Sequence, residues 1–307
     1  MTIHPALAEL AVPAPVNLDS PSAVQDIRTH FMERLPQPCV FPDVIVENSV
    51  LTLSRGECSI RSYHYNKAED VPTLVFFHGG GFVLGNLDAL HNLCCEIAIH
   101  SGCHLISVDY PKAPENPFPA APEVCYEATC WIWNNLESFG GNRSHFSVGG
   151  SSAGATLAAV VALMARDKKG PSIHSQILLC PMVNTDLSTS SYVEHGCDTN
   201  LTTELCRWFL SVYPQKSEGF RDPYFMPMHA ESLRDLPQAL IITAGFDPLC
   251  DDGYLYAQRL NEDGGSATHR CYKDMIHGFY AHDLRELEGV KKEVFRAIGE
   301  KMKGEAS

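Results

Sequence analysis

The sequence predicts an α/β fold, a mostly parallel central sheet of about eight strands with helices on both faces. Three observations carry this expectation. Short apolar runs alternate with helical patterns from about residue 70 onward. Gly150-Ser151-Ser152-Ala153-Gly154 joins the apolar run His145–Val148 to the small-residue run Ala155–Ala165, which reads as strand, abrupt turn, helix. At 307 residues the chain is long enough for one large α/β domain with an attached helical cap.

Residues 1 to 38 read as a separate helical piece. Ser20 can cap, Pro21 suits a first turn, and Val24, Ile27, Phe31 and Leu35 recur at helical spacing. Residues 43 to 66 alternate like a hairpin turning at Arg55-Gly56. Thr73–Phe77 is a buried strand, and further strands fall near 104–109, 145–149, 175–180, 239–243 and 267–273. Helical patterns fall near 87–101, 122–138, 153–167, 252–262 and 285–302. From Val183 to about Pro237 the rhythm breaks, with no sheet strand and one helix, Thr202–Tyr213, rich in Trp208, Phe209, Leu210 and Tyr213. This interval is expected to pack with the N-terminal helices over the Ser152 edge of the sheet.

Chemistry follows from where the punctuation falls. A Gly-x-Ser-x-Gly turn between strand and helix forces the central Ser into a strained conformation and lifts its hydroxyl clear of the sheet, so Ser152 is the candidate nucleophile. The strand 73–77 runs into His78-Gly79-Gly80-Gly81-Phe82. Three glycines pack no core, but they bring backbone N–H groups close to a ligand oxygen. The N–H of Ala153, after the nucleophile, is a further donor. Asp247 follows the strand 239–243, and His277 follows the strand-like run Ala267–Tyr272. Ser152, Asp247 and His277 thus stand in an order compatible with a nucleophile, its orienting acid and its base. Asp251 is the rival orienter, and Asp252 most simply caps the next helix.

The motifs resemble the hormone-sensitive-lipase-like family of α/β-hydrolases, also called bacterial esterase family IV. The matching pieces are His78-Gly79-Gly80-Gly81, Asp109-Tyr110 with Ala113-Pro114-Glu115-Asn116-Pro117-Phe118-Pro119-Ala120, the Ser152 pentapeptide, Asp247-Pro248-Leu249 with Asp251 and Gly253, and His277-Gly278-Phe279. They span roughly residues 70 to 285 in the family's order. The resemblance implies an α/β-hydrolase fold and a carboxylesterase with Ser152 as nucleophile, His277 as base and Asp247 as orienter. It implies an oxyanion hole from Gly80, Gly81 and Ala153, a loop shaped by His78 and Gly79, and a Glu115 buried in its Pro-rich turn. Ser151 departs from the family's usual Asp or Thr, Ala155 from a frequent Gly, and Pro111-Lys112 from the usual Arg-Leu. None of these touches the reacting atoms. The expected organisation is N-terminal cap helices over 1–42, catalytic core over 43–183, cap insert over 184–225, and the rest of the core over 226–307.

Phe82, Trp208, Phe209 and Ile276 are the candidate pocket residues. The expected reaction is hydrolysis of short to medium acyl esters through an acyl-enzyme, with no cofactor and no metal. An amidase or formamidase on the same triad is one alternative. A non-catalytic small-molecule receptor of the gibberellin-receptor type is another, and the presence of His277 with Ser152 and Asp247 speaks against it.

Composition narrows the partners. With 23 basic against 37 acidic residues, net −14, the chain lacks the basic face that nucleic-acid phosphates demand. No apolar stretch reaches transmembrane length, so no membrane insertion is expected. The partner is a small-molecule ester, and a homodimer is the assembly allowed for. The 12 cysteines are scattered, several within strand or helix patterns, and no C-x₂-C pair suggests zinc. Residues 1–16 have no basic start and no long apolar block. Reduced core thiols in a cytoplasmic chain are therefore expected.

Overall fold

An eight-stranded sheet organises the computed structural model, which describes residues 2–65, 70–197, 199–214 and 220–305. The strands are β1 (Val44–Leu53), β2 (Gly56–Tyr65), β3 (Val71–Phe77), β4 (His104–Val108), β5 (Gly141–Ser151), β6 (Ser175–Leu179), β7 (Gln238–Phe246) and β8 (Ala267–Ile276). Their order is β1-β2-β4-β3-β5-β6-β7-β8. The β1–β2 and β2–β4 pairs are antiparallel, and every pair from β4 to β8 is parallel. Parallel pairing brings the C-terminal ends of β3, β5, β6, β7 and β8 to one edge, where the motif residues lie.

The central strands are apolar on both faces because both faces are covered. In β3, Val75 and Phe77 point into one core while Leu74 and Phe76 point into the other. The first core takes α3 (Ala120–Asn134), α4 (Ala153–Asp167) and α7 (Cys250–Glu262); the second takes α2 (His91–Ser101) and α8 (Glu288–Lys303). α4 is buried along nearly its whole length, from Ala153 to Ala165, and its Ala-rich sequence lets it sit close to the sheet.

Boundaries shift where side chains outvote propensity. The hairpin turns at Ser54-Arg55, one residue earlier than expected, and Gly56 opens β2. Residue 66 of the expected hairpin, and 198 and 215–219 of the expected cap insert, lie outside the described residues. The helix α1 (Ala23–Glu33) starts after Ser22, whose hydroxyl donates to Asp26 at 2.7 Å while the Ser22 N–H donates to Ser20 Oγ. Leu35 falls beyond its end.

The N-terminal segment divides between the two faces. Leu7 is fully buried in the second core, and the His4 N–H donates to the Asp274 carbonyl at 2.7 Å. Further on, Ile27 of α1 enters the first core beside Phe209 and Leu210 of α6 (Thr203–Val212). α5 (Ser190–Glu194) and α6 lie between β6 and β7. A cavity of about 510 Å³ separates the N-terminal segment from them, lined by Pro13, Val16, Leu18, Tyr192, Thr203 and Leu205 among others.

Candidate active site

Ser152 sits between β5 and α4 with φ 54° and ψ −121°, a conformation an L-residue adopts only under constraint. The constraint is local crowding. A Cβ on Gly154 would come within 2.0 Å of the Phe77 carbonyl oxygen, so only glycine lets α4 pass this close to β3. The Ser152 N–H donates to the Leu179 carbonyl at 2.8 Å, tying the turn to β6. Next to it, Ser151 Oγ and the buried Tyr280 hydroxyl lie 2.8 Å apart, and Tyr280 also donates to Leu179 O at 3.1 Å.

Asp247 is fully buried just past β7. Its Oδ2 pairs with His277 Nδ1 at 2.7 Å, and its Oδ1 accepts the Leu249 N–H at 2.9 Å. That leaves Nε2 as the free ring nitrogen of His277. The Ser152 turn and this imidazole lie at the same edge of the sheet. Asn200 Nδ2 donates to the His277 carbonyl at 2.9 Å, so the segment before α6 also holds the histidine loop.

The other two acids point elsewhere. Asp251 Oδ2 accepts the Ser191 N–H at 2.9 Å and serves the start of α5. Asp252 is buried, and its Oδ2 accepts the Val183 and Asn184 N–H groups at 2.9 and 3.3 Å. The expected helix cap is therefore corrected: Asp252 pins the chain as it leaves β6. Burial pushes its carboxyl well above the usual range, against the two backbone donors.

Cys180 Sγ lies with a carboxylate oxygen of Asp247 and a ring nitrogen of His277 inside 4.8 Å. Three donors in that space invite a metal reading. However, Asp247 and His277 already bond each other, and burial pushes the Cys180 thiol well above its ordinary range, away from the thiolate a metal needs. The donor set fits an acid–base pair with a buried thiol behind it.

The glycine loop is clamped from three sides. His78 is fully buried, stacks on Tyr110 at 4.2 Å, and has Nδ1 2.8 Å from the Gly79 carbonyl. Its Nε2 is 3.7 Å from Asp109, too long for a hydrogen bond, and burial lowers its pKa, so it holds the loop as neutral imidazole. The Tyr110 hydroxyl donates to the His78 carbonyl at 2.7 Å. Arg28 of α1 donates through Nε to Val83 O and through Nη2 to Ala113 O, both at 3.0 Å, and pairs with both Glu115 oxygens at 2.7 Å. Glu115 is exposed, which corrects its expected burial; Arg28 holds its carboxyl down at about 2. A Cβ on Gly79 would lie 3.4 Å from Ser152 Cβ, so the loop runs beside the Ser152 turn. Gly80 and Gly81 follow with φ 124° and 58°, and Ala153 opens α4.

The candidate pocket residues divide. Phe209 is buried over the loop, where a Cβ on Gly81 would come within 2.4 Å of its ring. Trp208 is half-buried, with its ring 5.4 Å from that of Phe209. Phe82, at φ 65°, stacks on Tyr213 at 3.9 Å and is 1 % exposed, so it fastens the loop to the end of α6. Ile276 is fully buried in the second core rather than at an open wall. Tyr280, Asn200 and Arg28 are the neighbours that sequence reasoning missed. A position three residues after His277 was the sole hint for Tyr280.

A family model described as alpha/beta hydrolase fold matches residues 74–281. The esterase LipI of Mycobacterium tuberculosis is 33% identical over 284 residues, covering 91% of this chain and 88% of its own. LipN of the same organism, named a carboxylic ester hydrolase, is 38% identical over 253 residues, 80% of this chain and 67% of its own. A solved esterase of Pyrobaculum calidifontis superposes with TM-score 0.87 at 34% identity, covering 98% of each chain. On this match of motif, fold and sequence, the chain belongs to the hormone-sensitive-lipase-like carboxylesterases of the α/β-hydrolase superfamily.

Proposed function

We propose that this carboxylesterase cleaves short to medium acyl esters with Ser152 as nucleophile, His277 as base and Asp247 as its orienting acid. The observation that carries the reading is the 2.7 Å Asp247–His277 bond at the same sheet edge as the strained Ser152 turn. His277 Nε2 takes the Ser152 proton as Oγ attacks the ester carbonyl, and Asp247 steadies the imidazolium. The backbone N–H groups of Gly80, Gly81 and Ala153 meet the developing oxyanion, each worth about 3 kcal/mol. The alcohol leaves with the proton from His277, and water then repeats the cycle on the acyl-enzyme.

The position of Phe209 supports the short to medium chain length. Phe209 lies directly on Gly81, and in this reading its ring limits the room for a long acyl chain above the loop. In this reading residues 1–42 and 184–225 form the cap, and the rest is the catalytic core. Two measurements test the proposal together. A fluorophosphonate is expected to label Ser152 alone, and p-nitrophenyl acetate to hexanoate to be turned over faster than the dodecanoate and faster than the matching anilides. Labelling elsewhere removes the triad; faster anilide turnover replaces the esterase by an amidase.

A further inference from the structure

A pair of thiols stands beside the Asp247 turn. Cys250 is the first residue of α7, Cys271 lies on β8, and their sulfurs are 3.7 Å apart. Both are half-buried, open enough for a small reagent to reach. The register places Cys271 beside Thr243 of β7, and Cys250 Sγ is 3.8 Å from the Thr243 hydroxyl, so strand pairing and helix packing converge on one spot. A disulfide needs its sulfurs at about 2.05 Å, an approach of about 1.7 Å from here.

The two thiols differ in readiness. The sulfur–sulfur hydrogen bond with Cys250 holds the Cys271 thiol below its ordinary range, with Thr243 and Lys273 adding and burial opposing. The same bond holds Cys250 up. Lys273, two residues along β8 from Cys271, favours a thiolate there, which makes Cys271 the attacking thiol and Cys250 the resolving one.

We propose that Cys250 and Cys271 form a redox-active dithiol that an oxidised low-molecular-weight thiol converts into an intramolecular disulfide, pulling on the turn that carries Asp247. Cys271 thiolate attacks one sulfur of the reagent disulfide; that S–S bond breaks and one thiolate leaves. Cys250 gives its proton to solvent and attacks Cys271 Sγ of the mixed disulfide, releasing the second thiolate. Two protein thiols are oxidised and one reagent disulfide is reduced to two thiols.

The effect on turnover rests on the triad reading above. The Cys250 N–H donates to the Asp247 carbonyl at 3.0 Å, and the intervening Leu249 N–H donates to the Asp247 carboxylate. Drawing Cys250 toward β8 therefore displaces the acid that orients His277, and displacements of this size cost about tenfold or more in rate.

The test incubates the folded protein with oxidised glutathione, alkylates free thiols and maps peptides without reduction. A Cys250–Cys271 cross-linked peptide is expected, removed by dithiothreitol. Cys250→Ser is expected to trap Cys271 as a mixed disulfide, and Cys271→Ser to form neither product. In the native protein kcat is expected to fall about tenfold on oxidation and to recover on reduction, with no comparable fall in Cys271→Ser. If glutathione appears on the exposed Cys39 and Cys197 while no cross-link forms, the dithiol is overturned. If the cross-link forms and kcat holds, the link to Asp247 is overturned. Peptide mapping reads thiols without reference to turnover, so its failure leaves the esterase reading standing.

Discussion

Ser152 carries the largest expected effect of any single side chain. Ser152→Ala is expected to lower kcat by at least about 10³-fold with the circular dichroism spectrum unchanged, because in the proposed reaction the hydroxyl is the attacking group and it packs no core. A folded variant that retains ester turnover would remove Ser152 as nucleophile. Its neighbour has a different part. Ser151 Oγ bonds the Tyr280 hydroxyl, which also reaches Leu179 O, the acceptor of the Ser152 N–H. Tyr280→Phe leaves Ser151 Oγ without this partner and is expected to cost about 1–2 kcal/mol in urea denaturation. Ser151→Ala with Tyr280→Phe is expected to cost less than the two singles added, since both remove one bond; strict additivity would mean that the bond contributes nothing. The placement of Ser152, Asp247 and His277 at strand ends was legible because each follows an apolar run and sits in a turn with a distinctive local pattern. Tyr280 was not, because its bond to Ser151 joins residues 129 apart and leaves no spacing to read.

At the scale of elements, α1 and α6 decide how the glycine loop is held. The stripe of Val24, Ile27 and Phe31 announced a buried face on α1, and α6 was legible from its aromatics within a stretch without strands. What joins α1 to the loop is Arg28, at the edge of that stripe, donating to Val83 and Ala113 carbonyls. An exposed-looking arginine gives no periodicity, so that anchor was invisible in the sequence. Arg28→Met keeps the helix but frees the loop; kcat/KM for p-nitrophenyl acetate is expected to fall several-fold, while unchanged kinetics would confine Arg28 to binding Glu115. Phe209→Ala uncovers Gly81 and is expected to raise the hexanoate-to-acetate ratio of kcat/KM while costing about 3–5 kcal/mol of stability. A constant ratio in the folded variant would mean that Phe209 is packing and no part of the acyl wall. Deleting residues 1–38 would open both faces of the sheet, because Leu7 fills the second core while Ile27 enters the first.

Across the whole molecule, the alternation of apolar runs and helical patterns foretold the parallel sheet, since strands covered on both faces read as unbroken apolar runs. The strand order was not legible: β3 lies between β4 and β5 through crossovers that local pattern does not encode. Burial of histidine is likewise a property of the finished fold, and it sets the acid response. Of the 14 histidines, eight (His64, His78, His91, His100, His174, His229, His269 and His282) have lowered pKa values, each with burial as the first cause; His282 reaches about 4. Unfolding returns them to about 6.5. Below that pH the unfolded chain binds more protons than the folded one, so stability is fully present above about 6.5 and drains as the pH falls through the lowered values. Glu96 and Asp252, both raised by burial, act in the opposite sense, because acid relieves the cost of their charge. Among the described residues the lowered histidines outnumber these two acids and set the sign. The melting temperature is expected to drop by about 5 °C or more between pH 7 and pH 5, and His269→Asn to flatten that slope. A melting temperature unchanged over this range would mean that these imidazoles take up protons equally in the folded and unfolded chains.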